Sequence, residues 1–146
     1  MSMYKICPYC RKKYEYGKEC TCGGYEKAKQ VRRQHYDRYV RKSDDNKKYD
    51  SFYHSREWVR MTEHVKRNYN DLCAMCLIEE GVLVNCDVTH HIYEIKTDVG
   101  WEERLNEELL IPLCHDCHSK QHPDYTQDKI EKLISIVNKY KELYEV

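Results

Sequence analysis

The stretch that decides the fold reads Cys73-Ala-Met-Cys76, then a loop of 37 residues, then Cys114-His-Asp-Cys117-His118. Each Cys-X2-Cys pair fits on one tight turn, so both of its thiolates can bind the same metal ion. Two pairs at this spacing are typical of a tetrahedral zinc site that closes the intervening loop at its base. By itself, the pattern predicts structural zinc bound by these four cysteines and does not predict an enzyme.

Four histidines lie within this loop or directly after it: His90, His91, His118 and His122. His118 and His122 are four residues apart and therefore share one face of a predicted helix, a spacing that suits a divalent metal ion. Neighbouring residues of a strand point to opposite sides, so His90 and His91 can take different roles. One can bind a metal ion while the other accepts a proton as a neutral imidazole. The set predicts a catalytic metal site.

A second cysteine set lies near the N-terminus, at Cys7, Cys10, Cys20 and Cys22. Residues 1–24 form a zinc knuckle in this interpretation, because so short a segment does not fold without a metal ion. We find no signal segment and no apolar run of membrane-spanning length, and we expect a cytoplasmic protein. In that reducing compartment paired cysteines bind zinc, so we predict two structural zinc ions. The alternative, a disulfide framework, needs an export route.

The formal net charge of zero conceals a division between the two halves of the chain. Residues 1–70 carry 18 basic and nine acidic side chains, a balance of +9, whereas residues 71–146 carry seven and 16, a balance of −9. Basic pairs at Arg32-Arg33, Arg41-Lys42 and Lys47-Lys48 favour contact with a polyanion. A solvated basic surface is the alternative. Only 40% of the 146 residues are apolar, so we expect one small catalytic domain with an appendage.

Hydrophobic periodicity predicts an α+β fold, with His90 and His91 on a strand and His118 on a helix. The predicted strands are 82–95 and 109–113, and the helix that follows them is 115–121. Flanking helices are predicted from about Glu26 to Arg41, from the N-cap Ser55 to about Arg67, and over 126–145 after Thr126. The chain then has four parts: a zinc knuckle (1–24), a basic helix followed by a polar linker over 42–50 (together 25–50), a catalytic domain (51–123) and a C-terminal packing helix (124–146).

The motifs Val88-Thr-His-His-Ile92 and Leu110-Ile-Pro-Leu-Cys114-His-Asp-Cys117-His118 resemble those of the HNH endonucleases. The chain is similar in particular to small zinc-containing members that phages of Gram-positive bacteria encode near their packaging genes. In those proteins an N-terminal Cys-X2-Cys element and a Phe-Tyr-His-Ser-X-X-Trp motif, here Phe52 to Trp58, precede the nuclease unit. The resemblance covers almost the whole chain except the last helix. It implies a ββα-metal fold and an HNH nuclease domain at 51–123.

This resemblance also implies a reaction and roles for individual residues. The reaction is hydrolysis of DNA phosphodiester bonds with one divalent ion (Mg, Mn, Ni or Zn). Its expected setting is the cytoplasm of the bacterial host, beside phage terminase subunits. His91 aligns with the general base and His90 and His118 with metal ligands, while His122 matches a second helical histidine of some members. The central Asn of the family falls at Leu109 here, so Asn106, three residues earlier, becomes the candidate to hold the loop and orient the base.

Two other functions fit parts of the sequence. A non-catalytic two-zinc adaptor that binds DNA or protein would explain the cysteines and the basic half, and an RNA-binding zinc protein would explain the basic, tyrosine-bearing segment. Neither explains four clustered histidines, because a binding module needs no general base. The sequence therefore favours the nuclease.

Overall fold

The computed structural model describes residues 3–39 and 46–144. Its strands are β1 (Tyr4–Ile6), β2 (Lys13–Glu15), β3 (Val88–His91) and β4 (Leu110–Leu113). Its α-helices are α1 (Gly24–Tyr39), α2 (Lys47–Tyr53), α3 (Arg56–Asn68), α4 (Asp98–Glu102), α5 (His115–Gln121) and α6 (Gln127–Tyr144). A π-helical turn covers Cys76–Glu80 and a 3-10 turn covers Glu107–Leu109. Within these ranges, no helix combines the length and apolar character needed to cross a bilayer.

A two-stranded antiparallel sheet and the helix that follows it form the centre of the molecule. β3 pairs with β4 so that His90 lies opposite Ile111 and His91 opposite Leu110. All four residues of β4 are buried, which fixes the strand in the core. Cys114 then precedes α5 directly, so the first cysteine of the second pair stands at the junction of strand and helix. The predicted α+β class, with its ββα unit, is confirmed.

The first strand of this unit is shorter than the predicted 82–95, because the backbone before Val88 is bonded elsewhere. The carbonyl oxygen of Leu83 accepts a hydrogen bond from Ile6 N–H at 3.1 Å. The carbonyl oxygen of Val84 accepts one from Cys73 N–H at 2.8 Å, and Asn85 forms a bridge with Leu72. These residues therefore join the knuckle and the first cysteine pair to the ββα unit instead of pairing with β4.

The predicted helix starts on either side of the ββα unit are confirmed. Ser55 precedes α3, and its hydroxyl oxygen accepts a hydrogen bond from Trp58 N–H at 3.3 Å. The Thr126 hydroxyl oxygen caps the start of α6 in the same way, because it accepts a hydrogen bond from Lys129 N–H at 3.4 Å. α1 begins two residues before the predicted Glu26, and the predicted end at Arg41 lies outside the described residues.

The prediction of a polar linker over 42–50 is wrong for its last residues, which belong to α2. Aromatic side chains explain the helix, because they give an otherwise polar segment a buried face. Phe52 is 7% exposed and lies 5.3 Å from the ring of Trp58, and Tyr49 meets Trp101 edge to face at 5.5 Å. Arg41 and Lys42 lie outside the described residues.

The N-terminal hairpin of β1 and β2 packs on the segment that precedes β3. Asn85 bonds both strands: its side-chain oxygen accepts from Lys5 Nζ at 2.5 Å and its Nδ2 donates to the Tyr14 hydroxyl at 3.1 Å. The Tyr9 hydroxyl donates to Asp87 Oδ1 at 2.9 Å. These contacts fix the hairpin, and with it the start of α1, against the ββα unit.

The C-terminal helix α6 contributes to the core on the other side of the unit. It buries five side chains: Ile130, Leu133, Ile136, Val137 and Tyr140. The Tyr140 ring stacks on Tyr69 at the end of α3, with 4.1 Å between the ring centres. Its hydroxyl donates to the Asn68 carbonyl oxygen at 3.3 Å, so this buried phenol keeps a polar partner.

Candidate active site

The cysteines assemble into two tetracysteine clusters, which we call the inner cluster (Cys73, Cys76, Cys114 and Cys117) and the outer cluster (Cys7, Cys10, Cys20 and Cys22). All sulfur atoms of a cluster lie within 4.8 Å of one another. Bonded partners would be about 2.05 Å apart, whereas neighbouring sulfurs here are separated by 3.6 to 3.8 Å. Two thiolates on one tetrahedral zinc with bonds of about 2.3 Å lie roughly 3.8 Å apart. Both donor sets fit zinc.

The clusters differ in their surroundings. The inner cluster is buried at all four positions and joins the turn at Cys73–Cys76 to the β4–α5 junction, whereas in the outer cluster Cys22 is exposed. Some thiols already favour the thiolate that zinc requires. A hydrogen bond from Cys117 is the largest of the influences that lower the pKa of Cys114. The backbone N–H of Lys12 is the main reason that the pKa of Cys10 falls to about 7.

Zinc content tests this assignment. Protein purified without added metal and dialysed against a weak chelator should retain about two zinc ions per chain, because two complete tetrahedral donor sets are present. Elemental analysis with a protein concentration from amino-acid analysis measures the ratio. A ratio near zero, together with Cys–Cys bonds in the intact mass spectrum, would contradict the zinc interpretation.

Three of the four predicted histidines meet beside the inner cluster. His90 comes from β3, His118 from α5, and His122 directly follows α5. Their nearest ring nitrogens lie within 4.8 Å of one another, and Nε2 of His118 and Nε2 of His122 are 3.0 Å apart. Two nitrogen ligands about 2.1 Å from one ion lie roughly 3.0–3.4 Å apart, so this histidine trio fits a single divalent metal ion.

The histidine trio is also in the protonation state that a metal site requires. Burial is the main reason that the pKa of His90 falls to about 3, and the positive charges of protonated His118 and His122 are smaller contributions to the same shift. Burial likewise lowers the pKa of His118 to about 4 and lowers that of His122. All three rings are therefore neutral at physiological pH, with lone pairs available for an ion.

His91, next in sequence to His90, is held by different elements. Its Nε2 lies 3.0 Å from the carbonyl oxygen of Arg104. A carbonyl oxygen can only accept, so Nε2 carries the proton and Nδ1 is left as a proton acceptor. The ring stacks on Trp58 with 4.7 Å between centres and 17° between planes, which fixes its orientation.

The environment of His91 keeps the ring neutral. The side chain is 6% exposed, and burial lowers its pKa to about 4, although the hydrogen bond to Arg104 opposes the shift. At neutral pH the ring is therefore an uncharged base. A neutral imidazole with one lone pair of fixed direction is suited to removing a proton from water.

All four histidines line one pocket of about 430 Å³, so the structure brings the predicted set together. α3 also contributes to the lining of this pocket, with Trp58, Thr62 and Lys66 at four-residue intervals. The Lys66 ammonium donates to the Asp87 carbonyl oxygen at 3.0 Å and places a positive charge at the rim. Thr62 and Lys66 were not predicted from the sequence, although their four-residue spacing from Trp58 was the available signal.

Tyr125 is another residue of this pocket that sequence analysis missed. Its ring lies parallel to that of His90, with 5.6 Å between centres and 11° between planes, and meets His122 edge to face. Burial raises the pKa of its hydroxyl well above the usual range, so the phenol is neutral. The position three residues after His122 was the only clue in the sequence.

The loop between β3 and β4 presents the Arg104 carbonyl to His91. Gly100 permits its tight course, because a Cβ there would stand 1.9 Å from the Glu94 carbonyl oxygen. The Arg104 guanidinium donates a hydrogen bond to the Trp101 carbonyl oxygen at 2.6 Å. Its charged group also lies over the Trp101 ring, 4.2 Å from the centre.

Asn106 holds this loop and is not among the residues that line the pocket. Its side-chain oxygen accepts from Glu108 N–H at 3.1 Å and its Nδ2 donates to Glu103 at 2.7 Å. At Leu109, where the family has its central Asn, the backbone carbonyl accepts from Ile92 N–H at 3.0 Å. Asn106 thus bonds the loop from a position shifted by three residues, and its part in catalysis stays a prediction.

Comparison with known proteins adds one match. The chain is similar to an HNH endonuclease. The crystal structure of the HNH endonuclease of the deep-sea thermophilic bacteriophage GVE2 with manganese ion shares 29% sequence identity with it. The alignment covers 66% of this chain and 86% of that one, with a TM-score of 0.45. No protein-family profile and no curated protein matches the chain.

Proposed function

We propose that the protein is a metal-dependent DNA endonuclease of the HNH type. One observation carries this proposal: a single pocket on a ββα unit holds a metal-type histidine trio and, beside it, His91 with its Nδ1 left as a proton acceptor. The pairing of an orienting carbonyl with a buried imidazole is what general-base catalysis requires. A purely structural metal site would need neither the orienting carbonyl nor the buried imidazole.

In the proposed reaction His91 Nδ1 removes a proton from a water molecule while the water oxygen forms a bond to phosphorus. The bond between phosphorus and the 3′ oxygen breaks, and that oxygen takes a proton from solvent, which leaves a 5′-phosphate and a 3′-hydroxyl end. Stacking on Trp58 and the hydrogen bond to Arg104 keep the His91 ring in place during proton transfer. The Lys66 ammonium at the rim attracts the phosphate and orients it.

His90, His118 and His122 are the residues that would hold the divalent ion of this reaction. When bound, the ion supplies Lewis-acid stabilisation of the negative charge on the phosphate and the departing oxygen. Three imidazole donors suit Ni²⁺ or Zn²⁺ better than Mg²⁺, which prefers oxygen ligands. Tyr125 stacks on His90 and so keeps that ligand directed at its partners.

The experiment that tests the proposal is a plasmid assay. Protein treated with chelator to empty the histidine site is incubated with supercoiled DNA, and Mg²⁺, Mn²⁺, Ni²⁺ or Zn²⁺ is added back separately. Relaxed or linear product should form with at least one ion and not with chelator alone. If no ion supports cleavage, the second candidate function replaces the nuclease: a two-zinc DNA-binding adaptor, which the basic half of the chain favours.

The basic segment gives a further prediction within this proposal. If Arg32, Arg33, Arg41 and Lys42 contact phosphates, replacing all four with Ala should weaken binding to every DNA sequence similarly. The slope of log affinity against log salt should flatten by up to about one unit per lost contact. Fluorescence anisotropy across a salt series measures it, with Lys139→Ala on α6 as control. An unchanged slope would leave this segment as a solvated surface.

The resemblance to nucleases encoded near packaging genes extends the proposal to a biological setting. We infer a role in phage DNA processing in the bacterial cytoplasm, beside terminase subunits. Direct binding between the purified protein and terminase subunits from the same genome, measured by calorimetry, tests this inference. The absence of binding would confine the proposal to the nuclease activity.

A further inference from the structure

The basic helix α1 forms one wall of a second cleft, of about 790 Å³. Val31, Arg32 and Tyr36 line it from α1, and Val88, His118 and His122 line it from the ββα unit. The same three residues of the ββα unit also line the histidine pocket. A strand whose phosphate lies at the histidines can therefore continue directly into this cleft.

The position of α1 beside the histidines is fixed by the outer cluster and its hairpin. The helix begins at Gly24, two residues after the zinc ligand Cys22, and Tyr25 meets Tyr9 edge to face at 6.3 Å. Tyr9 is itself bonded to Asp87, next to Val88. The knuckle thus places Arg32 on the same cleft as His118, since both residues line it.

The lining of this cleft combines a cation with apolar and aromatic surface. Arg32 supplies a guanidinium for a phosphate, while Val31, which is 64% exposed, and the Tyr36 ring supply surface against which a base can pack.

This combination fits an unpaired nucleotide better than a double helix. A paired duplex offers mainly phosphates and sugars to a protein wall and keeps its base faces stacked inside. An unpaired strand exposes both its phosphates and the faces of its bases, which bind to basic grooves that also carry aromatic side chains. The apolar part of the cleft would have no partner on a continuous duplex.

We propose that the cleft between α1 and α5 receives an unpaired segment of the substrate strand adjoining the scissile phosphate, so that the protein cuts preferentially where duplex DNA meets single strand. Arg32 binds the phosphate next to the scissile one, and Tyr36 packs against the first unpaired base. The inference rests on the proposed nuclease function and names the substrate class of that same site.

The test compares three labelled oligonucleotide substrates of one sequence: a continuous duplex, a duplex with a single-stranded flap, and the single strand alone. The quantity measured is the ratio of the cleavage rate at the flap junction to the rate on the continuous duplex. It should be about tenfold or more for the wild type, as expected for one or two base and phosphate contacts. Arg32→Ala and Tyr36→Ala should each bring the ratio close to one.

The matched control is Lys27→Ala, which removes one exposed positive charge from the same helix but does not line the cleft. It should keep the wild-type ratio, and zinc content and circular dichroism confirm that all variants are folded. A wild type that cuts the three substrates equally, or variants that keep its ratio, would overturn the inference and leave the nuclease function standing. A wild type that cuts none of them with any divalent ion would overturn the nuclease function, and the inference with it.

Discussion

Replacement of His91 with Ala should lower the rate of DNA cleavage by roughly 10²–10⁴-fold, the usual contribution of a general base. Nδ1 of this ring is the proton acceptor in the proposed reaction, because the hydrogen bond from Nε2 to the Arg104 carbonyl oxygen leaves Nδ1 unprotonated. The histidine trio is untouched by the change, so the affinity for the divalent ion should remain within about twofold of wild type. Plasmid nicking measured across a metal titration gives both quantities.

His90→Ala is the matched control for this prediction, since it removes the neighbouring imidazole from the same strand. It should weaken binding of the divalent ion, and part of its activity should return at high metal concentration, because two ligands of the histidine trio remain. No metal concentration should rescue His91→Ala. If His91→Ala cuts as fast as the wild type, the assignment of the base is wrong; if metal rescues both variants equally, the two histidines share one role.

Replacement of Cys114 with Ser should cost one zinc ion and lower the free energy of unfolding by more than about 4 kcal/mol. Cys114 is fully buried where β4 meets α5, and its cluster joins this junction to the turn at Cys73–Cys76. Without zinc the remaining thiols would be buried together with no cation to balance a thiolate. Chemical unfolding followed by circular dichroism, with zinc analysis of the same samples, measures both effects.

The ninth cysteine provides the control for the zinc prediction. Cys86 is half-buried and belongs to neither cluster, and burial raises the pKa of its thiol to about 12, so it is a neutral side chain. Cys86→Ser makes the same chemical change without removing a ligand. It should keep about two zinc ions per chain and change the unfolding free energy by no more than about 1 kcal/mol. Equal losses in the two variants would show that the inner cluster is not a zinc site.

The sequence by itself determined those features that depend on residues close together in the chain. The spacing within each cysteine pair predicted both clusters, because two thiols on one turn must lie near each other. The four-residue interval from His118 to His122 predicted that the two rings meet, and their Nε2 atoms are 3.0 Å apart, although His122 follows the end of α5 with an extended backbone and does not share its helical face. Ser55 and Thr126 predicted their helix starts, since capping involves only the next three residues.

Only the tertiary structure decided the features that join distant segments. The β propensity of residues 82–87 predicted that the strand extends through them. Instead, the backbone carbonyl oxygens of Leu83 and Val84 accept hydrogen bonds from Ile6 and Cys73, which lie in other parts of the chain. The proton acceptor of His91 was settled by a carbonyl 13 residues away, whose position depends on the course of a loop and carries no side-chain signal. The approach of α1 to α5, which forms the second cleft, depends on how the knuckle packs beside Asp87. Such contacts arise from packing between whole elements, and local pattern does not encode them.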